Sequence, residues 1–231
     1  MSQKTNNKIN LFYFSVSKLS HFVFCPKRSK MEIFHRTYGI TTKSGISAIK
    51  TGNRLHYQYS FPNKSFDRVL IRTKLNNKNK EYTKQVDNIV VIGHYDDLRV
   101  LRYNNAKFTS LVELKTTSKK YMWSVEIMAA VKQLQLYMWL MKEQLEKLGF
   151  PLWKRSYVEI YSQHTGRLMR RIPVEYDSNI EQWIRHVADC FRGLEKVSIP
   201  HIGVCRKCPK NVRDACDWYI LMNTKTRKFD M

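Results

Sequence analysis

The chain has 231 residues, enough for one large domain or one domain with an appendage, and enough to bury a sizeable core. Its 41 Lys and Arg against 19 Asp and Glu give a formal charge of +22, spread along the chain. That charge favours polyanions, nucleic acid first, with a generally basic surface as the bland alternative. No stretch approaches the roughly 18 apolar residues of a membrane span, no apolar signal segment opens the sequence, and no Gly-rich loop ends in Gly-Lys-Ser or Gly-Lys-Thr. A membrane-spanning apolar helix and a P-loop ATPase are not expected, and an intracellular, cytoplasmic location is the expectation.

In chain order, residues 1–14 read as a basic, flexible N-terminus. Ser15 or Ser17 caps a first helix over Lys18–Arg36, interrupted near Cys25-Pro26. Ser44–Tyr59 reads as a second helix carrying His56. Phe66–Thr73 and Glu81–Ile92 read as strands joined by a polar turn, and Gly93 breaks the pattern before a strand over Tyr95–Tyr103. After a turn at Asn104-Asn105, Phe108–Leu114 is apolar enough for a central strand. Ser124–Leu148 is the strongest helix, with Val131, Leu134, Met138, Met141 and Leu145 in register and Gly149 to end it. Strands over Ser156–Ser162 and Leu168–Val174, a helix over Ser178–Leu194, and a basic cysteine-bearing segment over Pro200–Met231 complete the chain. This order predicts an α/β fold, a mixed central sheet flanked by helices, with the main domain at 15–199 and the cysteine segment at 200–231.

The chemistry concentrates at Asp96, in Gly93-His-Tyr-Asp, and at Glu113 and Lys115, in Val112-Glu-Leu-Lys. Side chains two apart on a strand share a face, so Glu113 and Lys115 point the same way. Two carboxylates suffice for Mg²⁺ or Mn²⁺, which prefer oxygen ligands and keep several waters. Such a metal neutralises phosphate charge and makes a better nucleophile of bound water. Asp96 and Glu113 are the candidate ligands, with the Leu114 backbone carbonyl and His56 as additions, and Lys115 the group that orients water or stabilises charge. Taken singly each has an ordinary reading: Glu-x-Lys as a half-exposed strand, Asp96-Asp97 as turn chemistry, His56 as a surface or core histidine, and Gln133 with Tyr137 as one polar edge of a helix.

In order, Gly52-x3-His56, Gly93-x-x-Asp96, Glu113-x-Lys115 and Gln133-x3-Tyr137 resemble the PD-(D/E)xK nucleases of the RecB type. The resemblance implies a restriction-endonuclease-like core in which His56, Asp96 and Glu113 bind metal, Lys115 is catalytic, and Gln133 and Tyr137 position the lysine and contact DNA. Cys25 near the start, with Cys205, Cys208 and Cys216 near the end, is the arrangement of the iron–sulfur branch. That branch includes the CRISPR-associated exonuclease family numbered four, which the chain resembles most. Four cysteines then imply a 4Fe–4S cluster, and Zn²⁺ suits the same ligand type. Seven residues separate Cys208 from Cys216, a longer spacing than the family pattern. Cys190, at helical spacing from Trp183 and Val187, reads as a buried structural thiol.

The expected function is accordingly a metal-dependent exonuclease on single-stranded DNA ends, running 5′-to-3′, in CRISPR spacer acquisition beside integrase proteins or in repair. Tyr95, Tyr121 and Trp123 are candidates for base stacking, against ordinary packing. The competing readings are a non-catalytic DNA-binding adaptor and a duplex-cutting endonuclease of the same superfamily. Intact Asp96, Glu113 and Lys115 argue against the first; Gln133-x3-Tyr137 and the four cysteines argue against the second.

Overall fold

The computed structural model describes residues 11–34, 50, 53–54, 81–122, 124–196, 202–205, 208 and 210–220. The expected strand at 66–73, His56 and Trp123 lie outside them. Strand β1 (Phe12–Ser15) leads directly into helix α1 (Val16–Phe24), and helix α2 (Pro26–Phe34) follows. The expected break at Cys25 is present: Cys25 is extended, at φ −161°, and its N–H closes α1 onto the His21 carbonyl. Ser15 is the N-cap residue, but its hydroxyl makes no capping bond. Phe12–Ser15, expected to lie largely within the N-terminal stretch, pairs in parallel with residues 89–92.

Glu81–Ile92 is not one strand. Asp87 takes a left-handed φ of 53°, a conformation a short Asp side chain tolerates, and splits the segment into an antiparallel hairpin. Its arms are β2 (Tyr82–Val86) and β3 (Ile89–Gly93). Strand β4 (Asp97–Tyr103) starts two residues later than the sequence suggests. It turns at Asn104 and Asn105, both at positive φ, as a two-residue hairpin that follows the strand twist requires. Strand β5 (Ala106–Thr117) is then paired with β4 on one side and with β6 (Ser156–Ser162) on the other. Strand β7 (Leu168–Val174) closes that edge.

The fold is mixed α/β as expected, but among the described residues the strands form two mixed sheets rather than one. Their orders are β1-β3-β2 and β4-β5-β6-β7. Helix α3 (Ser124–Lys147) lies over the second sheet, and helix α4 (Ile180–Arg192) follows β7. The alternation of β5 sorts its side chains into two environments. Leu111 joins the main core with Leu134, Met138 and Met141 of α3, whereas Val112 and Leu114 form a separate apolar cluster with Tyr161 on the opposite face. Glu113 and Lys115 therefore share Leu111's face, toward α3. Trp139 on α3 donates its indole N–H to Glu181 on α4 (2.8 Å), which fixes those helices together. Two short helices near the end, α5 (Ile202–Cys205) and α6 (Lys210–Asp214), carry the late cysteines to α2. No helix among the described residues is long and apolar enough to cross a membrane.

Candidate active site

Asp96 stands just before β4, where β3 has ended at Gly93. Its carboxylate accepts the backbone N–H of Leu114 at 2.8 Å, which seats it against β5 between Glu113 and Lys115. Glu113 is fully buried, with its Oε1 facing the Lys115 ammonium in an ion pair. Among the described residues its Oε2 has no hydrogen-bond partner. Lys115 in turn donates to Gln133 Oε1 (3.1 Å), and Gln133 Nε2 donates to the Tyr137 hydroxyl (3.2 Å). The i, i+4 spacing on α3 stacks Gln133 and Tyr137 on one face, so a single helix holds the lysine from above.

Gly93 has a steric reason to be glycine. A Cβ there would lie 2.6 Å from Val16 Cγ2 and 2.7 Å from Tyr137 Cε1, so its absence lets α1 and α3 close on the end of β3. Tyr95, a stacking candidate from the sequence, is instead 1% exposed and packs beside Tyr82 in the core. Tyr121 is exposed and keeps that possibility.

The electrostatics of this group are unbalanced. Burial raises the Glu113 carboxyl from 4.5 to about 8, the neighbouring Asp96 adds to the rise, and Lys115 only partly offsets it. Burial would lower Lys115, but the charges of Glu113 and Asp96 outweigh it and hold the side chain as an ammonium. A dry carboxylate with an unpartnered oxygen beside a second carboxylate is a donor set that a divalent cation fits. The lysine side chain as a whole is 30% exposed. Lys115 and Gln133 line one side of an open cleft whose other wall carries His21, Phe24 and Arg28 of α1 and α2. Glu32 braces that wall, accepting from the Arg28 Nε (2.7 Å) and bonding the His21 ring (2.6 Å).

Phe24 and Arg28 also border the cavity next door. Cys25, Cys205, Cys208 and Cys216 all face into it, with Met31 and Val212. None of these thiols is in a disulfide. Burial and mutual repulsion push Cys205 and Cys208 up to about 11, so without a cation they stay protonated. Three buried sulfurs and a half-buried one, Cys208, around one apolar space suit a thiolate-ligated metal centre. The long Cys208–Cys216 spacing is taken up by α6 and a turn in which Cys216 N–H reaches the Arg213 carbonyl (3.1 Å). Cys190 is buried, as expected of it, but it lies against His186 and Glu195, two residues the sequence did not single out.

Residues 63–217 match the family model described as the PD-(D/E)XK nuclease superfamily. No curated protein matches the chain. A solved structure of SSO0001 is similar over 89% of this chain and 85% of that one, at 17% identity and a TM-score of 0.52, a likeness of fold. A candidate exonuclease from Eubacterium rectale aligns over 90% of this chain and 98% of that one, at 12% identity and a TM-score of 0.42, too distant to carry weight.

Proposed function

Because the chain belongs to the PD-(D/E)XK nuclease superfamily, we propose that it is a metal-dependent deoxyribonuclease that hydrolyses single-stranded DNA from its ends in the 5′-to-3′ direction. The observation that carries this reading is the fully buried Glu113, its Oε2 without a hydrogen-bond partner among the described residues, beside Asp96 and Lys115. Asp96 and Glu113 would hold Mg²⁺ or Mn²⁺, with His56 and the Leu114 carbonyl as further ligands. The bound ion supplies charge neutralisation and a more acidic water. Lys115 orients the attacking water and stabilises charge on the phosphate, while Gln133 and Tyr137 keep its ammonium in place. The formal charge of +22 supports a DNA strand as the substrate.

The cavity shared by Cys25, Cys205, Cys208 and Cys216 supports a 4Fe–4S cluster, with zinc as the competing occupant. The cluster would tie residues 200–231 to α2 of the nuclease domain at 15–199. With both features the chain fits the CRISPR-associated type, which trims spacer precursors beside integrase proteins. End-labelled single and double strands, incubated with Mn²⁺, test the reading. Shortening of single strands from the 5′ end, abolished in Glu113→Ala, is expected. Full cleavage by Glu113→Ala refutes the site, and internal cuts in duplex favour the endonuclease instead.

A further inference from the structure

We propose that His186, Cys190 and Glu195 form a second metal site, for zinc or a divalent ion of similar ligand preference, separate from both Glu113 and the four-cysteine cavity. His186 and Cys190 are four apart on α4 and so share a face. The helix ends at Gly193, left-handed at φ 79°, and the turn closes through Gly193 N–H to the Cys190 carbonyl (3.2 Å) and Leu194 N–H to that of Asp189 (2.9 Å). This reversal brings Glu195 back over the last helical turn. Glu195 Oε2 then meets His186 Nδ1, Cys190 Sγ lies 4.0 Å from each of those two atoms, and one donor atom from each residue falls within 4.8 Å of the others. Zinc–sulfur bonds of about 2.3 Å and zinc–nitrogen or –oxygen bonds of about 2.0–2.2 Å imply tetrahedral edges of roughly 3.3–3.6 Å. Small side-chain rotations that part Glu195 from the His186 ring and draw the Cys190 thiol in would therefore fit the triangle to an ion.

Two surroundings support a ligand role over simple packing. Nearby carboxylates pair with cations: Asp87 with Arg185, Asp177 with Lys132, and Asp189 with Arg192. Glu195 pairs instead with the His186 ring and the Cys190 thiol, and among the described residues it has no Lys or Arg partner, in a chain with 41 Lys and Arg. The Phe22 ring stands edge-on to the His186 ring at 5.9 Å, which limits that ring's orientation. The His186 and Glu195 side chains are 45% and 46% exposed and border an open groove, whereas the thiol is buried. An ion can therefore enter from the groove and keep a water in the fourth position. Imidazole, thiolate and carboxylate together select zinc over Mg²⁺ or Mn²⁺. Binding releases the Cys190 proton to solvent as the metal–sulfur bond forms, with no change of oxidation state. The ion would fasten the end of α4 to the chain leading toward Cys205.

The test is zinc binding by the full-length protein, measured by equilibrium dialysis and elemental analysis with far-ultraviolet circular dichroism as the folding control. Cys190→Ser and Glu195→Gln are each expected to bind one zinc fewer than wild type, with affinity at that site falling at least about 100-fold. Glu195→Gln alters a half-exposed side chain and decides the matter alone if Cys190→Ser misfolds. Zinc stoichiometry and affinity unchanged from wild type in Glu195→Gln overturn the proposal; so does a wild type that binds none. Cleavage of DNA is not read, so this outcome is independent of the nuclease assignment.

Discussion

Replacing Glu113 with glutamine should stabilise the metal-free protein while abolishing cleavage. The folded chain raises this carboxyl from 4.5 to about 8. A raised carboxyl contributes no penalty below the unfolded value; the penalty builds as pH climbs from there and levels off above the folded value. At pH 7 the unfolded chain has released the proton that the folded chain still holds. At about 1.4 kcal/mol per tenfold, the gap from 4.5 to 7 costs roughly 3 kcal/mol of stability. Glutamine removes that cost, but its amide inherits a site where Oε2 has no partner, a loss of about 1 kcal/mol or more. Lys115 keeps Asp96 nearby and its bond to Gln133. The net expectation is a gain of about 1–2 kcal/mol at pH 7, read as a higher urea midpoint in the presence of a chelator. The gain should shrink toward pH 5. Added Mn²⁺ should reverse the order, by stabilising wild type and leaving Glu113→Gln unmoved. If Glu113→Gln is the less stable protein at pH 7 without metal, or if the difference does not change with pH, the picture of a buried carboxyl that burial holds protonated is wrong.

Three other perturbations probe separate parts of the molecule. Glu159 is fully buried on β6 and accepts from Arg99 Nη1 and Nη2 (2.8 and 2.7 Å), Arg171 Nε (2.7 Å) and the Tyr161 hydroxyl (2.8 Å). Glu159→Gln should cost about 2–3 kcal/mol in urea unfolding, less than a fully buried pair because both arginines keep some access to water. Burial alone would raise the Glu159 carboxyl, but the bonds and charge from Arg99, with Tyr161 and Arg171, hold it below its ordinary value. Its stabilisation is therefore present above the ordinary carboxylate range and lost as pH falls through the depressed value, an acid limb that Glu159→Gln should lack. Gly93→Ala should cost about 1–3 kcal/mol by overpacking against Val16 and Tyr137, and should lower the rate of cleavage beyond the loss of folded protein. Cys208→Ser should remove the visible absorbance and iron of anaerobically purified protein; retained iron would separate this thiol from the cluster.

The parts of the site legible in the sequence are those whose geometry follows from a local period. Glu113 and Lys115 share a face because a strand repeats every two residues, and Gln133 meets Tyr137 because a helix repeats near four. The strands at 156–162 and 168–174 were equally readable, since turn residues bound them tightly. What escaped depended on one residue's backbone or on tertiary contact. A single left-handed Asp87 divides an apparent strand and makes a hairpin of it. Tyr95 looked available for stacking, yet Tyr82 and the core enclose it.

The same distinction explains why the two cysteine environments differ in how visible they are. Cys205 and Cys208 announce themselves by a two-residue gap, and their convergence with Cys25 and Cys216 needs only that the short helices near them pack on α2. Cys190 has no such neighbour in sequence; its partner His186 sits one helical turn back, a spacing shared by many core pairs. Only the left-handed Gly193 turns Glu195 onto them, and neither composition nor period predicts that return. A glycine that ends a helix thus carries chemical consequence here. Substituting Gly193 with a β-branched residue should open the turn and separate Glu195 from His186 while leaving the distant Glu113 group intact.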